Sequence, residues 1–244
     1  MYYIYIDEAG RGPIAWPVTV GCIFEYKTWG EESWMREMWS LPLAMHYKGR
    51  RRVINAELYL DRLFSHDISL YQACKDSKVL REDKREVIYD QLEFAWCHVK
   101  TASSTAAMID EKGIVHALFH AICVAIHAQC VWWRFSMKSL RTWIKSDPDH
   151  ALLLIIDGPN DFWLRSLLWV PVVTIIDGDA HIPMISAASI FAKVERDRYM
   201  IRMSTTYPQY GFEKHKWYGT AAHYAAIQQL WPCRLHRQTY LTKQ

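Results

Sequence analysis

The sequence shows little of three features that mark particular protein classes: CxxC cysteine pairs, a large net charge and the basic-then-apolar pattern of a signal peptide. Its six cysteines form no CxxC pair, which argues against a disulfide-dense secreted scaffold. A net charge of +3 over 244 residues is too mild to establish a nucleic-acid partner, because only clustered Lys and Arg make a footprint for phosphates. No basic segment followed by an apolar core opens the sequence, so we expect a cytoplasmic protein.

One long stretch, residues 114–133, lacks Lys, Arg, Asp and Glu, and its length would suffice to cross a bilayer. Its histidines argue against a membrane span, because His116, His120 and His127 lie close to one side of a helix. We therefore predict a packed helix with a polar stripe and no membrane partner.

What is present is enough apolar material, 51% of the residues, for the core of one large domain. β-branched and aromatic residues at 2–6 and at 18–24 predict two strands, joined into a hairpin by a turn rich in Gly and Pro. The apolar runs within 152–160 and 170–180 predict buried strands. Because strands come first and alternate with helices later, we expect a mixed sheet with helices on its faces.

Acidic residues follow three of these predicted strands: Asp7 with Glu8, Asp157, and Asp177 or Asp179. Such carboxylates repel one another, and a divalent cation would resolve the repulsion. Mg²⁺ prefers hard oxygen ligands, and two such ions can activate a water and stabilise the leaving oxygen of a phosphodiester. Asp-Gly is also a common turn pair, so the spacing alone leaves a metal site and a set of turns equally open.

Six motifs follow one another along the chain. They are "IDEAGRGPIAWPV" at 6–18, "KDSKVL" at 75–80, "IDGPN" at 156–160, "DGDAHIPMISAASIFAKVERDRYM" at 177–200, "YPQYGFEKHKWYGTAAH" at 207–223 and "PCRLHR" at 232–237. Together they resemble the type 2 ribonucleases H, the ribonuclease HII family, over most of the chain outside residues 25–74.

The resemblance implies an α/β fold, the ribonuclease H-like mixed five-stranded sheet flanked by helices. It further implies a catalytic domain at residues 1–205, and a C-terminal helical extension at 206–244 that completes the substrate groove. Residues 25–74 are longer than the corresponding link in the family, so we interpret them as an insertion. The "KGRRR" run at 48–52 within them fits a DNA-binding surface and an exposed basic loop equally well.

Carried over residue by residue, the resemblance implies that Asp7, Glu8, Asp157 and Asp179 are the catalytic carboxylates and hold two Mg²⁺ or Mn²⁺ ions. Asp179 is preferred to Asp177 because the family acid directly follows the glycine. Asp177 stands where the family has lysine, a departure whose effect the sequence leaves open.

The resemblance also implies contacts with the substrate. The loop at residues 10–12 would read the ribose 2′-hydroxyl through its backbone, and glycine permits such a close approach. Further contacts are implied for Tyr218 with the sugar after the ribonucleotide, and for Ser77, Lys78 and Lys193 with the nucleic-acid backbone. The full set of implied substrate-binding residues is Gly10, Arg11, Gly12, Ser77, Lys78, Lys193 and Tyr218.

The implied reaction is hydrolysis on the 5′ side of a ribonucleotide, in an RNA:DNA hybrid or embedded in duplex DNA, by a monomeric endonuclease. The products would carry 3′-hydroxyl and 5′-phosphate ends. Two alternatives stay open: a catalytically weak nucleic-acid-binding protein of the same fold, and another metal-dependent nuclease such as a junction resolvase. The glycine-containing motif at 10–12 argues against the resolvase, because a resolvase substrate needs no 2′-hydroxyl.

Tryptophan stands at three positions where the family has glycine: Trp16, Trp217 and Trp231, with Trp169 a weaker case. The chain has 12 tryptophans and only 10 glycines, against roughly 17 glycines at an average usage of about 7%. Gly to Trp is the worst exchange for a tight turn, because it adds the largest side chain and loses access to positive φ.

We hypothesise that the source organism decodes UGA as glycine, and that the sequence printed here reads those codons as tryptophan. The alternative is a divergent enzyme whose indoles stack on bases or fill the groove.

Overall fold

The structure is a computed structural model, and it describes residues 2–26, 74, 80–95, 99–132, 142, 152–168 and 170–242. Nearly all of the predicted insertion lies outside the described residues. So do Ser77, Lys78 and Trp169, whose predicted roles therefore have no structural description.

Five strands form one mixed sheet in the order β3-β2-β1-β4-β5. The first two pair antiparallel as a hairpin, β3 pairs antiparallel with β2, and β4 and β5 run parallel to β1. The predicted mixed five-stranded sheet is confirmed. The strands are β1 (Tyr2–Ala9), β2 (Val18–Tyr26), β3 (Val99–Ser104), β4 (Leu152–Asp157) and β5 (Val172–Ile175).

Helices cover both faces of the sheet, because alternate residues of each strand point to opposite sides. Ile4 and Ile6 of β1 pack in the core cluster of the long helix α3, whereas Tyr3 and Tyr5 pack in the cluster of α1 and α6. The helices are α1 (Glu82–Ala95), α2 (Ala106–Lys112), α3 (Ile114–Trp132), α4 (Leu164–Leu168), α5 (Gly178–His181), α6 (Pro183–Thr206), α7 (Phe212–His215), α8 (Ala221–Leu230) and α9 (Gln238–Leu241).

The uncharged stretch forms α3, which packs on the sheet and exposes its stripe of histidines to solvent. Within the described part of the chain, no helix has both the length and the apolar character needed to cross a membrane.

Helix α6 lies unusually close to the hairpin, and this closeness positions the site. A Cβ atom at Gly21 would overlap the carbonyl oxygen of Ala188, so only glycine permits the contact. Gly21 is the cross-strand partner of Asp7. The small residues on this side of α6 therefore bring the helix directly beside the first predicted carboxylate.

Candidate active site

The predicted carboxylates converge at one edge of the sheet. Because β1, β4 and β5 are parallel, their C-terminal ends meet there, and the register that pairs Ile6 with Ile156 sets Asp7 beside Asp157. The short helix α5 follows β5 and carries Asp179 in its first turn. The structure thus brings together residues that are about 150 and 170 positions apart in sequence.

Hydrogen bonds fix Asp179 next to Asp157. The backbone N–H of Gly178 donates to Asp157 Oδ1 at 2.7 Å, and that of Asp179 donates to the same oxygen at 3.4 Å. A Cβ atom on Gly178 would come within 2.7 Å of Ile185 Cδ1 and 3.2 Å of Asp157 Oδ1, so glycine is required for this turn. Asp179 is buried while Asp177 is exposed to solvent, which favours Asp179 as the functional acid.

The Asp7 carboxyl experiences strong electrostatic repulsion. Its side chain is only 3% exposed, and burial raises its pKa well above the ordinary value for aspartate, with the charges of Glu8 and Asp157 raising it further. Two hydrogen bonds oppose the rise: one from the Ser189 hydroxyl, the other from the Glu8 N–H to Asp7 Oδ1 at 2.7 Å. Sequence reasoning missed Ser189, although this residue lies in the small-residue stretch of α6.

The donor set fits a hard divalent cation. All four predicted ligands are carboxylates, the oxygen ligands that Mg²⁺ and Mn²⁺ accept, and a cation between them would offset the repulsion at Asp7. In the described residues no three His, Cys, Asp or Glu side chains are already arranged to hold an ion. Glu8 is turned towards Arg11, with Oε1 2.5 Å from Nε, so it would have to turn away from Arg11 to join a metal site.

The loop at residues 10–12, called the glycine loop below, directly follows the strand that carries Asp7 and Glu8. Gly10 has a φ of 94°, and a Cβ atom there would lie 2.6 Å from Arg196 Nε. A Cβ on Gly12 would lie 3.8 Å from Tyr218 Cε1. The structure thus brings the predicted 2′-hydroxyl loop and the predicted junction tyrosine side by side, with Tyr218 46% exposed.

A group of cations lies beside this loop on α6 and its neighbours. The Lys193 Nζ is 3.7 Å from Asp197 Oδ2, and burial lowers the pKa of Lys193, with further lowering by the positive charges of Arg85, Arg196 and Lys216. Asp197 pairs with Lys193 and Arg196, and Glu82 pairs with Lys216, so four cations face two acids and the local field stays positive. This arrangement suits Lys193 to the phosphate contact predicted for it.

The structure adds a residue that sequence reasoning missed. The Arg237 guanidinium is fully buried and donates to three carbonyl oxygens around the glycine loop: Gly10 at 2.6 Å, Arg11 at 2.8 Å and Trp16 at 2.8 Å. The "PCRLHR" motif contains this arginine, but the motif alone indicates no structural partner.

The three tryptophans at family glycine positions all have left-handed backbones. Trp16, Trp217 and Trp231 have φ values of 77°, 69° and 63°. Among the described residues, seven positions other than glycine have positive φ, and four of them are tryptophan. The fourth is Trp163, and the residue before it, Phe162, also has a positive φ. Positive φ in that turn is therefore not specific to tryptophan.

The indole N–H groups of Trp16 and Trp217 are buried and have no hydrogen-bond partner in the part of the chain that the structure describes. Trp217 is fully buried and stacks on Phe212 with ring centroids 3.4 Å apart. Bulky side chains thus occupy backbone positions that favour glycine, with two polar groups unsatisfied.

Comparisons with known proteins agree with this geometry. The family model of ribonuclease HII matches residues 64–243. The chain is 32% identical to a ribonuclease HII of Geotalea uraniireducens (strain Rf4), with 96% of this chain and 80% of that protein covered. It is 36% identical to a ribonuclease HII of Bordetella avium (strain 197N), with 96% and 86% covered.

Solved structures show the same fold. The ribonuclease H2 from Pyrococcus horikoshii OT3 matches with a TM-score of 0.61 at 20% identity, over 98% of this chain and 93% of that one. Bst-RNase HIII in complex with Mn²⁺ matches with a TM-score of 0.53 at 12% identity, over 98% and 67%. The family model, the relatives and the fold together establish that this chain belongs to the ribonuclease HII family of metal-dependent endoribonucleases.

Proposed function

We propose that this protein hydrolyses the phosphodiester on the 5′ side of a ribonucleotide, in RNA:DNA hybrids and in duplex DNA with embedded ribonucleotides. The observation that supports it best is the adjacency of two features. The glycine loop directly follows the strand that carries Asp7 and Glu8, and Asp7 lies beside Asp157. A 2′-hydroxyl held at the loop would set the neighbouring phosphate near the carboxylates.

Two Mg²⁺ or Mn²⁺ ions would be held by the carboxylates of Asp7, Glu8, Asp157 and Asp179, and when bound they would supply the activated water and the charge stabilisation for the reaction. The binding of Mn²⁺ by Bst-RNase HIII, a protein of the same fold, supports a divalent metal here. Products with 3′-hydroxyl and 5′-phosphate ends follow from water attacking the phosphorus while the 3′-oxygen leaves.

The remaining residues would bind and orient the substrate. Backbone groups of Gly10, Arg11 and Gly12 would contact the 2′-hydroxyl, which distinguishes RNA from DNA. The exposed Tyr218 ring beside Gly12 would pack on the following sugar and favour a deoxyribose there. Lys193 would contact a phosphate from within its group of cations. We propose the same kind of phosphate contact for Ser77 and Lys78.

A catalytically weak nucleic-acid-binding protein is the second candidate, and one observation favours it. Trp217 directly precedes Tyr218, and Trp16 lies 5.6 Å from Trp217 between ring centroids. Indoles packed against the elements that read the sugar would disturb their positions. The protein as written would then bind the substrate and cleave it slowly.

The test is cleavage of a DNA duplex that contains one ribonucleotide, with Mg²⁺, with Mn²⁺ and with chelator. The controls are an all-DNA duplex of the same base sequence and a branched all-DNA substrate. We expect a single metal-dependent cut on the 5′ side of the ribonucleotide and none in either control. Cutting of the branched DNA alone would favour a resolvase and contradict the proposal.

The same assay separates the first two candidates when it is repeated with glycine at positions 16, 217 and 231. Cleavage by the glycine version alone would mean that the tryptophans, and not the site, limit activity.

We also propose that the protein acts as a monomer in the cytoplasm. Light scattering of the purified protein tests whether it is a monomer.

A further inference from the structure

One segment near the C-terminus contacts both elements that are proposed to read the sugar. Residues 233–237, called the clamp below, pair with the turn between β1 and β2 through backbone hydrogen bonds. The Trp16 N–H donates to the Leu235 carbonyl at 2.6 Å, and the Arg237 N–H donates to the Ile14 carbonyl at 2.9 Å. The clamp is thus anchored to the chain immediately after the glycine loop.

Arg237 binds the glycine loop through its buried side chain. Arg237 is 0% exposed, and its guanidinium donates hydrogen bonds to the carbonyl oxygens of Gly10, Arg11 and Trp16. A buried cation is costly unless its donors are satisfied, and burial lowers its pKa to about 10. The five donors of a guanidinium lie in a rigid plane, so they fix three carbonyls relative to one another.

Two histidines that contact each other, His236 and His223, connect the clamp to Tyr218. The nearest partner of His236 Nδ1 is the Cys233 N–H, which donates to it at 3.0 Å, while the Cys233 carbonyl oxygen lies 3.2 Å away. The other nitrogen, Nε2, lies 3.0 Å from His223 Nε2, and His223 Nδ1 lies 2.9 Å from the Tyr218 carbonyl oxygen. Since a carbonyl only accepts, His223 Nδ1 must donate.

When the shorter contact, the Cys233 N–H, is taken as the partner of His236 Nδ1, the protons of both histidines follow. His236 is protonated on Nε2 and donates to His223 Nε2, while His223 is protonated on Nδ1 and donates to Tyr218. Each imidazole is neutral, in accord with burial lowering the pKa of both to about 4. The hydrogen bonds through His236 and His223 fix the position of the Tyr218 backbone, because hydrogen bonds are directional and packing contacts are not.

We propose that Arg237, His236 and His223 are positioning residues that set the sugar specificity of the enzyme: Arg237 fixes the glycine loop, and the two histidines fix Tyr218. This inference rests on the proposed function, because it assumes that the loop and Tyr218 contact the sugars. It assigns the clamp a role in substrate selection in addition to its role in packing.

The test measures sugar preference by binding, with chelator present so that no cleavage occurs. Fluorescence anisotropy gives the Kd for three duplexes: all-DNA, one ribonucleotide followed by a deoxyribonucleotide, and one followed by a second ribonucleotide. We expect Arg237→Lys, which keeps the charge but supplies a single donor group, to reduce the preference for the ribonucleotide over all-DNA by about tenfold.

His223→Leu should instead reduce the preference between the two ribonucleotide duplexes, by about fivefold, since the Tyr218 carbonyl loses its donor and His236 Nε2 its acceptor while the bonds to the glycine loop are kept. His223→Asn retains an N–H near the position of Nδ1 and should restore most of that preference. This rescue distinguishes positioning from packing, because leucine and asparagine both alter the packing.

Matched controls come from a half-buried arginine and an exposed histidine, both outside the site. Arg198→Lys disrupts an arginine bonded to Glu86 and Asp90, and His127→Leu changes an exposed histidine of α3. Neither should alter a preference. Unchanged preferences in folded Arg237→Lys and His223→Leu would overturn the inference, as would a wild type that binds all three duplexes equally. Wild-type cleavage is scored separately and tests only the proposed function.

Discussion

Two regions of the site differ in how well their residue types suit their backbones. At the carboxylate edge (Asp7, Glu8, Asp157, Asp179), Gly21 and Gly178 stand where a Cβ atom would collide with a neighbour. In the cover (residues 13–17 and 207–237), tryptophan stands at three positions with left-handed φ. The residue types suit the close contacts of the backbone at the carboxylate edge. In the cover, the tryptophans do not suit the left-handed φ values that the fold imposes on them.

The conflict in the cover falls mainly on its tryptophans, because Lys216 is the one other non-glycine residue there with a positive φ, at 48°. Gly211 has a φ of 65° in the cover and is still glycine, so glycine has not been lost from this region in general. Agreement across levels is normal for a natural sequence. A protein whose gene specifies glycine at positions 16, 217 and 231 would remove the conflict without any change of fold.

The largest expected effect tests the carboxylate edge. Asp179→Asn should reduce cleavage of the single-ribonucleotide duplex by at least about a thousandfold, because loss of a metal ligand forfeits several kcal/mol of transition-state stabilisation. The matched control is Asp177→Asn, two residues away and exposed, which should retain activity because asparagine also tolerates the left-handed backbone at that position. Equal loss in both variants, measured as kcat/KM, would contradict the assignment of Asp179.

The next effect concerns the buried histidines of the cover and the pH dependence of stability. The pKa of His223 and of His236 is about 4 in the folded protein and about 6.5 in an unfolded chain. Between these values the unfolded chain binds more protons, so the free energy of unfolding should fall as pH drops from about 6.5 to about 4.

Urea unfolding at several pH values measures this slope. The double variant His223→Leu with His236→Leu should have a shallower slope than the wild type, and the difference between the two slopes separates the pair from Asp7, which both proteins retain. His127→Leu should leave the slope unchanged. Identical slopes in the wild type and the double variant would exclude the lowered pKa values.

The smallest effect is the most direct test of the glycine hypothesis. Trp231 is 78% exposed with a φ of 63°, so Trp231→Gly loses little packing and relieves backbone strain of about 1 kcal/mol. Trp231→Ala should not give this gain, since alanine also disfavours positive φ. Ala225→Gly, at an exposed position inside helix α8, should destabilise by about 1 kcal/mol. Thermal unfolding compares the four proteins, and a loss of stability in Trp231→Gly would contradict the prediction.

The source DNA tests the same hypothesis without protein. The codons for Trp16, Trp217 and Trp231 should be UGA, and UGG at Trp16 and Trp217 would end the idea. The φ values support the hypothesis independently of family resemblance, because they are a property of the fold of this chain.

Much of the fold could be predicted from local sequence. The hairpin strands and the buried strand ending at Asp157 each have a residue pattern that indicates them. The acids were likewise visible as residues that follow apolar runs. Residue spacing alone left a metal site and simple turns equally open, because the distance between Asp7 and Asp157 depends on strand order.

By itself, then, the sequence indicated the hairpin, the two buried strands and the long uncharged helix and, through its resemblance to known proteins, the family and the four proposed carboxylates. Only the tertiary structure decided that Asp157 bonds to the turn of Asp179, that Ser189 reaches Asp7, and that Arg237 supports a loop 226 residues earlier in the chain. The physical reason is that local patterns report the preferences of neighbouring residues. Contacts between distant segments depend on sheet register and on how closely helices approach the sheet, which no short stretch of sequence encodes.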